Sequence, residues 1–218
     1  MPRARPGEGR NPHAHPWFAR LYGLLARLAE KGELGDRRRV LLAGATGRVL
    51  DLGAGTGENF KHYPPEVTEV VAVEPDPHMR RQADRRIGEA AMKVELVDAA
   101  GERLPFEMSS FDTVVATLVL CSVDDPDRTL SELRRVLSPG GRLLFLEHVR
   151  ARTEGLATWQ DRLERPWMAV GGGCHPNRET GGAIDGNGFM LKDLETFDLR
   201  SSLPLVRPHV QGSAEVAS

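Results

Sequence analysis

The segment Gly47 to Phe60, GRVLDLGAGTGENF, narrows the possible folds more than any other part of the chain. An apolar run ends in Asp51, then Gly53, Gly55 and Gly57 alternate with small residues, and a polar segment follows. A buried strand that turns through such glycines belongs to an open parallel α/β sheet, whose ligand crevice lies beyond the strand carboxyl ends. The remaining pattern agrees. EVVAVEP, KVELVDA, FDTVVATLVL and RLLFLEHV read as further buried strands, and LKDLETFDL and LVRPHVQGSA as two more.

Helical patterns separate these runs. Trp17, Leu21, Leu24, Leu25 and Leu28 give Pro16 to Ala29 an amphipathic face, and a second helix is expected over Arg37 to Ala43. HMRRQADRRIGEAA is a charged helix with Met79, Ala83 and Ile87 on one side. Asp125 followed by Pro126 opens a helix carrying Leu130, Leu133, Val136 and Leu137, which SPGG ends. LATWQDRLERPWMAV reads as a helix interrupted at Pro166, GGGCHPN as a loop, and RETGGAIDGNGF as a short helix. The expected fold is a doubly wound, Rossmann-like α/β sheet of seven strands, the last antiparallel, with helices on both faces. Residues 1–15 read as a flexible N-terminal arm and 16–218 as one domain.

Composition removes several classes of function. The chain has 218 residues and a net charge of −2, without the basic footprint of a nucleic-acid binder. Its arginines, RRQADRR included, are interleaved with acids and suit a solvated helix face. The most apolar run, VVATLVLCSV, is far shorter than a membrane span, so only peripheral membrane contact stays open. MPRARPGEGRNPHAHP lacks the apolar core of a secretory signal. Cys121 and Cys174 lie far apart and match no zinc spacing, so no metal is expected; the setting is a reducing cytoplasm. A small-molecule substrate and a monomer or dimer are the expected partners.

Three readings of the glycine turn compete: a bare turn, a dinucleotide site, or a site for S-adenosylmethionine (SAM). A dinucleotide fingerprint needs a third glycine or alanine where this chain has Glu58, and a pyrophosphate needs attraction there. Glu58 and Asp51 make the turn acidic. SAM carries a sulfonium and an ammonium and no phosphate, so it fits beside carboxylates. Glu74, at the end of the second strand, suits the ribose diol of either cofactor. The charge pattern favours SAM.

DLGAGTG, VEPD and AAGERLPFEMSSFDTVVATLVL, followed by LRRVLSPGGRLLFLEH, resemble the successive motifs of the class I SAM-dependent methyltransferases. The likeness runs from about Trp17 to Ala214. Within that class, NFKHYPP, TLVLCSV, EHVRA, GGC with NRET, and RPHVQGSA resemble the alkyl-thiol methyltransferases of the methyltransferase-like family and their bacterial relatives. A looser likeness extends to quinone C-methyltransferases and phospholipid N-methyltransferases. The resemblance implies methyl transfer from SAM to a small molecule, with thiol sulfur the first choice of acceptor and S-adenosylhomocysteine the product. N-, O- or C-methylation of a lipid, quinone or natural product is the alternative, and a non-catalytic SAM-binding protein is a third.

The glycine backbone at Gly53, Ala54, Gly55 and Gly57 is expected at the methionine half of SAM, where only glycine permits close approach. By resemblance, Glu74 takes the ribose hydroxyls and Pro75 and Met79 flank the adenine. Ala100, Gly101 and Glu102 read the adenine edge, with Asp98 as an alternative acid, and Leu118 and Val119 line the sulfonium pocket. Tyr22 is placed by resemblance as a lid, or else packs the core. His148, at the carboxyl end of the fifth strand, is the first candidate for a general base. His175 and Asn177 are second candidates. Cys121 and Cys174 read as packing. Trp159, Trp167 and Phe189 are expected to wall an apolar pocket or fill the core.

Overall fold

A computed structural model describes residues 32–217. The expected helix over Pro16 to Ala29, with Tyr22, lies outside them. Strands β1 (Gly47–Leu52), β2 (Val67–Val73), β3 (Lys93–Val97), β4 (Phe111–Thr117), β5 (Leu137–His148), β6 (Phe189–Asp198) and β7 (Pro208–Val216) form one sheet in the order β3-β2-β1-β4-β5-β7-β6. The first five are parallel, and β7 runs antiparallel between β5 and β6. This is the expected Rossmann-like architecture. Strand order reverses between β1 and β4, and that switch point opens a crevice at their carboxyl ends.

Alternation along the strands divides the core. Leu50 and Leu52 pack with helices α3 (Pro126–Val136) and α5 (Thr180–Gly186) through Leu130, Leu133, Val136 and Ile184. Val49, Val70 and Ala72 pack on the opposite face with α1 (Glu33–Leu42), and Ala83 of α2 (Pro77–Asp84) joins them. Both faces of the sheet are therefore covered, as strands this apolar require. The fourth helix, α4 (Glu154–Val170), follows β5.

Several boundaries differ from the sequence reading. Helix α1 begins at Glu33, a turn before Arg37. Helix α2 stops at Asp84, because Arg86 turns inward to pair with Glu58 and Gly88 sits in the 3-10 turn Ile87–Glu89 that follows. Helix α4 passes through Pro166 without interruption. Pro166 removes one amide donor, and Arg162, the residue one turn earlier, is exposed, so water can satisfy its carbonyl. Strand β4 ends at Thr117 rather than Leu120, since Leu118 adopts a left-handed φ of 55°.

Two glycines of the turn have different reasons to be glycine. A Cβ on Gly53 (φ +60°) would stand 2.2 Å from Val119 Cγ2, whereas one on Gly55 (φ +56°) would meet nothing nearer than 3.9 Å. Gly53 is fixed by packing against the loop after β4; Gly55 faces open space. Gly53→Ala should therefore cost about 2–4 kcal/mol of stability in urea denaturation, from left-handed strain plus overpacking. Gly55→Ala should cost about 1 kcal/mol, for strain alone; equal losses would contradict the contrast.

Candidate active site

Glu74 follows β2 directly and is 7% exposed. Its Oε2 accepts from the Gly55 amide at 2.8 Å and its Oε1 from the Asp76 amide at 2.8 Å. Burial pushes its pKa up to about 7 against those two amides, with the Asp76 carboxylate adding to the rise and Arg80 opposing it. Arg80 turns its guanidinium to the Glu74 carbonyl and to Asp98, and leaves the Glu74 carboxylate to the backbone. A buried carboxylate thus stands directly beside the open face of the glycine turn.

The other two acids of the motif behave differently. Glu58 is turned away from the crevice and ion-paired with Arg86, while Thr56 Oγ1 lies 3.2 Å from the same oxygen. Its charge is neutralised, so the expectation that Glu58 repels a phosphate at the turn is corrected. Asp51 lies fully buried beneath the turn, where Asn59 Nδ2 donates to its Oδ1 at 2.7 Å. Arg38 in turn donates to Asn59 and Thr117. Burial raises Asp51 to about 6, moderated by Asn59, Tyr63 and Arg38. Tyr63 is the remaining neighbour of the carboxylate, its own hydroxyl equally buried.

Asp76 caps α2 by accepting from the His78 and Met79 amides, which sets Pro75 and the buried Met79 at the crevice edge beside Glu74. Ala100, Gly101 and Glu102 lie in the turn after β3, and Gly101 packs so closely on Thr129 and Leu52 that a Cβ would reach 2.9 Å from Thr129 Cγ2. Glu102 is engaged, its Oε1 accepting from the Asp124 and Asp125 amides. The alternative, Asp98, is paired with Arg80 at 2.7 Å. The open face of Gly55 and the Glu74 carboxylate beside it fit a ligand with a ribose diol, which SAM presents.

A second group of side chains is built on β4 and β5. Glu147, fully buried, accepts from the amides of Val119 at 2.9 Å, Leu120 at 2.8 Å and Cys121 at 3.3 Å. Those three bonds curl the chain after Leu118 and turn Cys121 inward. There Cys121, His148 and Cys174 converge, all buried, with Sγ and ring-nitrogen atoms within 4.8 Å of one another. His148 Nε2 is 2.8 Å from Cys174 Sγ, and Trp167 Nε1 donates to the same sulfur at 3.0 Å. His148 Nδ1 is buried with no partner among the described residues.

Hydrogen bonds from Cys121 and Trp167 hold the Cys174 thiol below its ordinary pKa despite burial, while the contact with Cys174 and burial push Cys121 up. Burial works to lower His148, but the neighbouring Cys121 and Glu147 outweigh it and the net direction is upward.

His148 ends β5 as the sequence reading has it, and the reading of the two cysteines as mere packing misses their contact with it. The second candidates fall elsewhere. His175 Nδ1 pairs with Glu164 of α4 at 2.7 Å and Asn177 bonds Asp161 at 3.0 Å, so both side chains face α4 and not His148. The three aromatics also separate: Trp159 is 55% exposed, Phe189 fills the core, and only Trp167 reaches the cluster. Glu147 escaped the sequence reading, although a carboxylate at the end of the apolar run LLFLEH must find donors once buried. His209, opposite His148 in the β5–β7 register, was missed too; it stacks on Phe197, and burial drives its pKa down to about 4.

Comparison with known proteins gives a consistent picture. The profile of a methyltransferase-domain family matches residues 50–145. A thiol S-methyltransferase, TMT1B of Rattus norvegicus, is 40% identical over 170 residues, covering 76% of this chain and 69% of that protein. A demethylmenaquinone methyltransferase of Thermus thermophilus is 38% identical over 133 residues, 58% of this chain and 60% of that one. The crystal structure of an S-adenosylmethionine-dependent methyltransferase from Mesorhizobium loti superposes with a TM-score of 0.62 at 22% identity, over 84% of this chain and 98% of that one. No helix among the described residues is long and apolar enough to cross a membrane. With the fold, the glycine turn and the buried acid after β2 in place, the chain belongs to the SAM-dependent methyltransferases and is an enzyme of that family.

Proposed function

We propose that this methyltransferase acts on the sulfur of a small-molecule thiol. The observation that carries the reading is the buried trio Cys121, His148 and Cys174 on the acceptor side of the crevice, one loop from the glycine turn. The likeness to a thiol S-methyltransferase supports the same choice. SAM supplies an electrophilic methyl group on a sulfonium sulfur. The chain has to hold it, align the acceptor in line with it and exclude water.

The proposed roles follow from placement. The backbone of Gly53, Ala54, Gly55 and Gly57 approaches the methionine half, and Asp51 lies beneath it. Glu74 accepts from the ribose hydroxyls, Pro75 and Met79 flank the adenine, and the turn of Ala100, Gly101 and Glu102 borders its edge. Leu118 and Val119 close the sulfonium pocket. Tyr22, a candidate lid, lies outside the described residues. His148 takes the acceptor's proton, and with the side chains of His175 and Asn177 committed to α4 it carries that role alone.

Methyl-labelled SAM offered with thiols, amines, phenols and quinol precursors tests the acceptor. Label is expected in a thioether; label in a quinone or an amine instead, or tight SAM binding with no acceptor consumed, would replace the reading.

Glu74 yields a prediction with a definite sign. Its folded pKa, about 7, is raised above the ordinary 4.5. The folded protein therefore holds a proton that the unfolded chain has released, and SAM-free stability from this group is full below pH 4.5 and falls as pH rises through 7. SAM binding runs the other way, because the ribose hydroxyls need the carboxylate. Affinity by calorimetry should weaken about tenfold from pH 8 to pH 6, with proton uptake by buffer on binding. Glu74→Gln should flatten that dependence, and Glu74→Ala should cost on the order of 2–4 kcal/mol of SAM binding. Unchanged affinity would remove Glu74 from the site.

His148→Ala should lower turnover by about 10²–10⁴-fold at saturating SAM while leaving SAM affinity within a few-fold. A parallel loss of SAM binding would assign His148 to the cofactor and not to the acceptor.

A further inference from the structure

We propose that Cys121, His148 and Cys174 form a site for a single Zn²⁺ whose fourth position receives the acceptor sulfur. The inference rests on the thiol reading and deepens it. Two cysteine sulfurs and one imidazole nitrogen, all buried and within 4.8 Å of one another, make a three-ligand set that leaves one tetrahedral position open. Zinc bonds of about 2.3 Å to sulfur and about 2.0–2.1 Å to nitrogen imply ligand–ligand edges of roughly 3.5–3.8 Å, inside that span. The His148 Nε2 to Cys174 Sγ contact of 2.8 Å has to open by less than about 1 Å, a side-chain adjustment. Sulfur and imidazole donors with no carboxylate among them select zinc over magnesium or calcium.

The surroundings are those of ligands held in place. Trp167 donates its indole N–H to Cys174 Sγ, Ser122 Oγ lies 3.4 Å from Cys121 Sγ, and the Glu147 carboxylate fixes the Cys121 backbone. The His175 amide also donates to the Cys121 carbonyl at 2.8 Å, tying the loop of Cys174 to that of Cys121. Two thiolates neutralise the dication. A third, from the acceptor, leaves one negative charge, which the guanidinium of Arg178, bonded to the Leu120 carbonyl at 2.6 Å, stands near enough to offset.

Chemically, the acceptor thiol releases its proton to solvent as its sulfur takes the fourth position. That sulfur's lone pair forms the new bond to the methyl carbon while the sulfonium carbon–sulfur bond breaks, its electron pair staying on the departing sulfur. The product thioether is a weaker ligand and leaves. With the ion in place, His148 serves as a ligand and the ion stabilises the thiolate. Loss of His148 therefore lowers turnover under either scheme, and metal analysis has to separate them.

The full-length protein, purified without chelator and supplied with Zn²⁺, should hold one zinc per chain by elemental analysis, and Cys174→Ser should lose most of it. Since a buried cysteine can matter for folding, Co²⁺ exchanged into the wild-type protein gives an independent readout. It should show tetrahedral Co²⁺ absorption with a thiolate charge-transfer band, and the band should grow on adding a thiol acceptor but not the matching alcohol. Substoichiometric zinc with no such band, or zinc retained undiminished in Cys174→Ser, overturns the site. Thioether formation by metal-free protein at an unchanged rate removes the ion's role and leaves the thiol reading intact, with His148 as proton acceptor. Zinc bound at the trio with no thioether formed upholds the site and sinks the thiol reading.

Discussion

Three backbone amides, those of Val119, Leu120 and Cys121, converge on the carboxylate of Glu147, and both the glycine turn and the Cys121–His148–Cys174 cluster are tied to that knot. A carboxylate buried at the end of β5 is tolerable only if donors surround it. The donors are available because β4 breaks at Leu118, where the left-handed backbone swings the following amides toward β5. Once bent, the loop presses Val119 against Gly53 on one side and presents Cys121 to His148 and Cys174 on the other. Glycine turn and cluster are thereby registered to each other through a single buried carboxyl group.

The acids around the glycine turn divide the remaining work. Glu58 serves the fold, paired with Arg86 at the end of α2; Asp51 anchors the turn through Asn59, Thr117 and Arg38. Glu74 stands beside the open glycine with backbone amides on its carboxylate. The preference for a cationic sulfur compound over a dinucleotide therefore does not come from a ring of negative charge. It rests on one buried acid beside an open glycine.

The central strands were legible because β1, β2 and β4 are short and apolar, and the glycine turn marked the switch point in advance. Helix ends were less so. Nothing local in HMRRQADRRIGEAA says that Arg86 will turn toward Glu58, or that α4 will tolerate Pro166 on an exposed stretch. The cofactor residues could be read one by one since they follow consecutive strand ends. The acceptor cluster could not: His148 and Cys174 are 26 residues apart, on a strand end and a distant loop. Only the β4–β5 pairing and the return of the chain after α4 bring the two cysteines together, and no spacing rule anticipates a site assembled by topology.

Seen as chemistry, the crevice is segregated. The carboxylates of Asp51 and Glu74 lie on the β1–β2 side; soft sulfur and imidazole lie on the β4–β5 side. An amine or phenol acceptor would be served by a carboxylate or a histidine alone and gains nothing from two buried cysteines. A sulfur nucleophile does gain, because thiolate character is favoured by a polarisable neighbourhood with an indole N–H and a guanidinium close by.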